Sequence, residues 1–184
     1  MAKLCNLFVL VSLLAALKWA QAKEIWVNRV VREKETVTNL QFYFHDTFTG
    51  NNPSAIVSIQ PNTTKKYATL FGGIVMIDDP LTVTPDPNSK LVGRAQGLYG
   101  SAGQTEFSLI MAVSLRFMDG GYNGSSLSIS GTNPASNPVR ELPIVGGTGI
   151  FRMARGFAIA HTYFFNSTSG DAIVGYNVTV FTAE

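Results

Sequence analysis

Apolar and polar residues alternate through most of this chain with a period of two, the signature of strands that turn one face to a core. In Leu40-Gln41-Phe42-Tyr43-Phe44-His45-Asp46-Thr47-Phe48, one face carries Leu40, Phe42, Phe44 and Phe48, and Asp46 falls on that same face. An unpaired charge in an apolar row costs several kcal/mol, so such a carboxyl either finds a partner or keeps its proton. The pattern leaves two readings of Asp46 open: an acid bonded to a neighbouring turn, or an acid inside a cavity.

Further strands follow. Ala55 to Ile59 predicts a short one, and Ala68 to Ile77 another, bent or bulged at Gly72-Gly73. Asp78-Asp79-Pro80-Leu81-Thr82 reads as the start of a long loop with Pro80, Pro85 and Pro87. Lys90 to Tyr99 returns as a strand. The most regular alternation runs from Thr105 to Phe117, with Phe107, Leu109, Met111, Val113, Leu115 and Phe117 on one face. Asp119-Gly120-Gly121 turns the chain into Ser125 to Gly131 as a hairpin. Asn133 to Pro143 reads as a second Pro-broken loop, and Ile144 to Ala154 crosses Gly146-Gly147-Thr148-Gly149. Gly156 to Phe165 and Asp171 to Phe181 make a last hairpin.

About eight strands joined as consecutive hairpins predict an all-β fold. An eight-stranded antiparallel barrel leaves no sheet edge exposed and has room for one small ligand. A two-sheet sandwich is the alternative; the corner glycines and the many hairpins favour the barrel.

Composition places this barrel outside the cell. Met1 to Ala22 combines Lys3, an apolar run from Leu4 to Leu17, and Ala20-Gln21-Ala22 as a small-residue cleavage site, which reads as a secretory signal peptide and not a membrane span. The expected organisation is a signal peptide at 1–22, an extended arm at 23–38 and the barrel at 39–184. Lys3 and Lys18 account for the whole net charge of +2. The mature chain therefore has no basic footprint for nucleic acid, and after cleavage no membrane association is expected. The single cysteine, Cys5, lies in the signal, so the mature barrel stands without disulfides. Sequons at Asn62, Asn123, Asn166 and Asn177 are glycosylation candidates and predict surface positions.

The chemistry that remains is narrow. Two histidines, His45 and His161, and no mature cysteine give poor support for a metal site, and no cofactor is expected. Gly146-Gly147-Thr148-Gly149 lacks the lysine and the following helix of a phosphate loop, and reads as a turn that lets backbones approach closely. No nucleophile elbow is present. What is left is an acid-and-arginine set in an aromatic barrel: Asp46 facing inward beside Phe44, Tyr99 able to stack or hydrogen-bond, and Arg94, Arg140, Arg152 and Arg155 near strand ends, where one could hold a phenolate.

Phe42-Tyr43-Phe44-His45-Asp46, Asp78-Asp79-Pro80-Leu81-Thr82, Gly93-Arg94-Ala95-Gln96-Gly97-Leu98-Tyr99, and the run from Arg140-Glu141-Leu142-Pro143 through Gly146-Gly147-Thr148-Gly149 to Ala154-Arg155-Gly156 together resemble the dirigent protein family of land plants. The resemblance spans nearly the whole mature chain. It implies an eight-stranded barrel of the calycin and allene-oxide-cyclase kind, secretion to the cell wall, glycosylation, and assembly into a homodimer or homotrimer. Dirigent proteins steer the coupling of phenoxy radicals, such as those of coniferyl alcohol, into one enantiomer of a lignan; a separate laccase or peroxidase makes the radicals. Related members, the pterocarpan synthases, dehydrate an isoflavanol through a quinone methide.

Matched position by position, the resemblance implies Asp46 as the cavity acid and Arg140 as the phenol-binding arginine. It makes Tyr99 a cavity tyrosine and Thr148 a cavity threonine. Lignan-forming members carry a second aspartate where this chain has Asn133, and a second tyrosine where it has Ser101, so the sequence looks more like the subgroup that includes the pterocarpan synthases. The leading expectation is a non-oxidative auxiliary protein for phenoxy radical coupling. A hydro-lyase acting on isoflavanols is the alternative, and a passive carrier of a small apolar molecule is the third.

Overall fold

The structure is a computed structural model that describes Lys34 to Ala183. The expected signal peptide, and all of the arm before Lys34, lie outside the described residues. Nine strands follow in chain order: β1 (Glu35–Asp46), β2 (Ala55–Ile59), β3 (Ile74–Thr82), β4 (Leu91–Ser101), β5 (Leu109–Phe117), β6 (Ser126–Asn133), β7 (Val139–Thr148), β8 (Arg155–Phe165) and β9 (Ala172–Ala183). Every neighbouring pair is antiparallel. From β3 to β9 each strand pairs with the next, and β1 pairs with both β9 and β3, so eight strands close into a barrel. The short β2 lies on the remaining edge of β3. Closure gives most backbone groups a ladder partner and removes the open edge that the hairpin pattern had to resolve.

The barrel interior is filled from alternate positions of each strand. Phe42, Leu81, Ala95, Leu115, Phe117, Leu127, Leu142, Ala158, Val178 and Val180 are all buried. The lower end of the barrel, opposite the exit of β1, is plugged by the single-turn 3-10 helix Gly149–Phe151. Phe151 is 1% exposed and packs between Tyr122, stacked at 5.6 Å and 2°, and Phe117 at 5.6 Å. Phe42 continues the column onto Phe117 and, stacked at 5.8 Å, onto Tyr176. The glycine motif makes this plug possible. A Cβ at Gly147 would come within 2.6 Å of the Phe151 carbonyl oxygen, and Gly149 adopts φ +62 against Ser125, a conformation that glycine takes without steric cost.

Besides Thr105 to Ser108, which precedes β5 and leaves Phe107 exposed, three segments depart from the sequence expectation. β1 begins at Glu35, within the stretch read as an arm. Ala68 to Gly73 forms turns, and β3 instead runs from Ile74 through Asp78-Asp79-Pro80-Leu81-Thr82, which was expected as loop. Pro80 is tolerated because β3 changes neighbours there. The β2 side ends with the Asp78 N–H donating to the Ser54 carbonyl at 2.8 Å, and β1 pairs only from Leu81 onward. A missing N–H costs little where no acceptor is opposite. For the third, β7 starts at Val139, so Arg140 projects from a strand and not from a Pro-broken loop.

Candidate functional site

Strand polarity gathers the polar interior residues at the upper end, where β1 leaves the barrel. Asp46 is the last residue of β1 and is 9% exposed. Tyr99, near the end of β4, donates its hydroxyl to Asp46 Oδ2 at 2.7 Å. Asp46 Oδ1 has no partner. Burial pushes the Asp46 carboxyl up to about 6, partly offset by the Tyr99 hydrogen bond and reinforced by the charge of Asp171. The Tyr99 phenol is held well above its ordinary range by burial and by the neighbouring Asp46 charge, so it remains a donor at any ordinary pH.

A second acid stands beside this pair. On β3, Ile77, Asp79 and Leu81 face inward, and Asp79 is fully buried. Neither of its oxygens has a partner. The Ser54 hydroxyl does not satisfy it, because that group donates to the His45 carbonyl at 3.1 Å and accepts from the Thr47 N–H at 3.2 Å. Burial and then the charge of Asp46 push the Asp79 carboxyl up to about 8. The sequence reading had counted one acid in the pocket; the barrel holds two.

Arg140 enters from β7 and is 4% exposed. Its Nη1 donates to Thr162 Oγ1 at 2.8 Å and to the Asn137 carbonyl at 3.1 Å, whereas its Nε is buried without a partner. The three ion pairs among the described residues, Lys90–Asp119, Arg94–Asp78 and Arg155–Glu35, are all at the surface and none includes Arg140. Burial lowers its affinity for a proton, yet a guanidinium stays charged over the ordinary pH range. A buried cation with one free donor is suited to an oxygen that gains negative charge.

Asn133 closes the upper end of β6. It is 6% exposed, with Nδ2 at 3.9 Å from Met111 Sδ and Oδ1 lacking a partner. Phe44 packs beside Tyr176 at 5.9 Å, and burial raises the Tyr176 phenol to about 12. Five of the six partnerless buried side-chain atoms among the described residues therefore belong to Asp46, Asp79, Asn133 and Arg140. Buried polar groups normally find partners; a cluster that does not is matched to something that enters.

The structure brings Asp46, Arg140, Phe44, Tyr99 and Asn133 into this upper half. It does not bring Thr148 there. Counting by twos from Arg140 places Thr148 inward, but a bulge between Ile144 and Gly146 reverses the faces. Thr148 is exposed at the lower end, its hydroxyl 2.7 Å from that of Ser126. The threonine that does reach Arg140 is Thr162. Asp79, Thr162 and Tyr176 were not singled out from the sequence. Inward alternation through Ile77, Asp79 and Leu81 was the available signal for Asp79, masked by Pro80. His45 is buried under the segment after β3, with Nε2 2.7 Å from Thr82 Oγ1, and His161 is exposed. The described residues contain no cluster of His, Cys, Asp and Glu suited to a metal ion. Asn62, Asn123, Asn166 and Asn177 are all exposed.

Comparisons with known proteins agree with this architecture. The family model described as Dirigent-like protein matches residues 37–181. Dirigent protein 23 of Arabidopsis thaliana is 60% identical over 156 residues, covering 84% of this chain and 83% of the relative. Pterocarpan synthase 1 of Glycyrrhiza echinata is 51% identical over 150 residues, covering 81% and 80%. A solved structure of a pterocarpan synthase dirigent protein superposes with a TM-score of 0.76 at 50% identity, covering 84% of this chain and 88% of that one.

Proposed function

The chain belongs to the dirigent protein family, and from that premise we propose that it binds a phenol carrying a benzylic hydroxyl, or the quinone methide derived from it, in the upper half of the barrel and fixes the face on which the next bond forms. The observation that carries this reading is the set of buried polar atoms left without partners on Asp46, Asp79 and Arg140, all inside the upper half of the barrel. Radical coupling asks a protein only to orient two rings. Proton transfer asks for an acid with a substantial protonated fraction at the working pH, and Asp46 at about 6 has one in mildly acidic solution. The site therefore favours dehydration of the pterocarpan synthase kind over the steering of phenoxy radicals, and pterocarpan synthases are among the relatives of this chain.

Asp46 gives its proton to the benzylic hydroxyl, the C–O bond breaks and water leaves. The phenol releases its own proton to solvent, which later returns it, as its oxygen becomes the quinone methide carbonyl and accepts a hydrogen bond from Arg140 Nε. A second hydroxyl of the substrate adds to the exposed carbon. Its proton returns to the Asp46 carboxylate and the phenol is protonated again, so no oxidant or cofactor is consumed. Phe44 and Tyr176 form the apolar wall for the ring. Orientation sets the stereochemistry: about 1.4 kcal/mol between the two faces gives roughly ten to one. On the same reading the barrel works outside the cell, carries glycans on some of its four sequons, and assembles as a homo-oligomer.

Chiral product analysis on the purified barrel tests this. With an isoflavanol and no oxidase, cyclised and dehydrated product of one hand is expected, lost in Asp46→Asn. Unchanged isoflavanol, together with optically enriched lignan from coniferyl alcohol plus a laccase, would replace dehydration by radical steering.

A further inference from the structure

The two buried acids sit on neighbouring strands where the barrel closes. Tyr43 pairs with Thr82 and Phe44 with Leu81 across the β1–β3 seam. The β1–β3 pairing stops at Phe44–Leu81; two residues further along each strand Asp46 and Asp79 are both buried, near enough for the charge of Asp46 to raise the Asp79 carboxyl. The seam is also where β3 has lost β2 and Pro80 withholds a donor, so no backbone N–H is turned toward the Asp79 carboxylate to stabilise its charge.

We propose that Asp79 and Asp46 work as one carboxyl pair across the β1–β3 seam, in which Asp79 keeps its proton while Asp46 exchanges its own with the substrate. This deepens the dehydration reading and rests on it for the substrate, though the pair itself does not. Each carboxylate, once ionised, opposes ionisation of the other in a poorly solvated interior, so the two titrate as a pair. Their environments are unequal. Asp46 accepts the Tyr99 hydroxyl and retains slight exposure, whereas Asp79 has neither. The first proton therefore leaves from the Asp46 side, and Asp79 stays neutral.

The other charged and titratable groups around the pair are few. Tyr99 on β4 and Tyr176 on β9 are neutral phenols. Arg140 on β7 faces the interior. Arg94 and Asp78 pair with each other on the outer face, Asp171 is tied to Phe48 N–H and the Thr49 hydroxyl, and His45 points away to Thr82. None supplies a cation in contact with either carboxyl. Keeping Asp79 neutral means that Asp46 alone alternates between acid and carboxylate through the cycle, with its proton held to a pH at which a lone exposed aspartate has long lost it.

The test is a carbon-13 titration of the aspartate carboxyls in the described barrel with its native N-terminal arm, comparing the unaltered protein, Asp79→Asn and Asp46→Asn. Two carboxyls titrating well above the ordinary aspartate range are expected. Asp46→Asn lowers the Asp79 midpoint by a pH unit or more, because the charge that opposes its ionisation is gone. Asp79→Asn removes a group still neutral when Asp46 ionises and leaves the Asp46 midpoint close to its place. An Asp79 midpoint that does not move in Asp46→Asn, or two carboxyls that titrate below pH 5, overturns the pair. Should Asp79→Asn fail to fold, the Asp46→Asn spectrum carries the test alone. A coupled titration with no turnover of any phenol would sink the dehydration reading and leave the pair standing.

Discussion

The two ends of the barrel are built by the same alternation and filled with opposite chemistry. Below, Phe117, Leu127, Leu142, Val178, Val180 and Phe151 close the interior with apolar atoms, and every buried side chain finds its contact. Above, the same inward positions carry Asp46, Asp79, Tyr99, Asn133 and Arg140, and most of the barrel's unmet hydrogen-bonding capacity is concentrated among them. Burial of apolar surface stabilises at about 25 cal/mol per Å², whereas a buried polar group without a partner costs about 1–3 kcal/mol. The lower end therefore holds the fold together and the upper end subtracts from it. A destabilising cluster set on a rigid scaffold is what a site looks like when its groups are kept for chemistry. The column of rings from Tyr122 through Phe151, Phe117 and Phe42 to Tyr176 joins the two ends, so the plug stiffens the wall against which a substrate would lie.

The largest effect expected from breaking this contrast is at the plug. Phe151→Ala removes the ring packed between Tyr122 and Phe117 and costs about 3–5 kcal/mol, read as a lowered midpoint in urea unfolding. The Asp46 carboxyl titration of the folded fraction stays where it was. A loss below about 1 kcal/mol would mean that the helix Gly149–Phe151 is not a structural plug.

The upper end responds to pH instead. The folded values of Asp46 and Asp79, about 6 and about 8, lie above the usual 3.8 of the unfolded chain. Below about pH 4 both states are protonated and nothing is lost. As pH rises, the unfolded chain releases these protons first, so stability falls progressively between about pH 4 and pH 8. Asp78 and Asp171, held below the ordinary range by their hydrogen bonds to Arg94 and to Thr49, act in the opposite sense only at the acid end, and both are largely solvated. Urea midpoints across this range should decline toward pH 8 in the unaltered protein, by an amount on the order of a few kcal/mol. The slope should flatten in Asp79→Asn. A variant that keeps the full slope would remove Asp79 as its source.

How much of this was legible in the chain depended on whether alternation ran unbroken. The stretch from Leu40 to Asp46 and the one from Leu109 to Phe117 did, and both the barrel and the inward acid could be read from them. Pro80 concealed the inward Asp79, because a proline inside a run usually marks a strand edge or its end. Here it marks the place where one strand exchanges neighbours, a tertiary fact with no local signature. Arg140 was found through family resemblance; the strand that buries it was hidden by Pro134, Pro138 and Pro143. The two long-range partners of the site, Tyr99 with Asp46 and Arg140 with Thr162, join residues 53 and 22 positions apart, and no periodicity encodes such pairs.

The smallest expected effect separates two threonines that alternation alone ranks wrongly. Counted by twos from Arg140, Thr148 belongs inside, but the bulge after Ile144 turns it out at the lower end to meet the Ser126 hydroxyl. Thr162 sits before the bulge in β8, between Thr162 and Phe164, on the face of Ala158 and Ala160; it is exposed, yet its hydroxyl reaches the buried Arg140. It accepts one of the two hydrogen bonds that fix the Arg140 guanidinium. Thr162→Val keeps the shape and removes an acceptor from the Arg140 guanidinium; because Thr162 is exposed, water can replace it, and the loss is about 0.5–1.5 kcal/mol. It should also raise KM for a phenol more than it lowers kcat, since Arg140 loses its orientation and not its charge. Thr148→Val removes an exposed hydroxyl pair and should stay within about 0.5 kcal/mol with unchanged KM. Equal effects from the two substitutions would mean that the bulge in β7 is not where the register places it, and that the upper and lower ends of the barrel are not chemically separate.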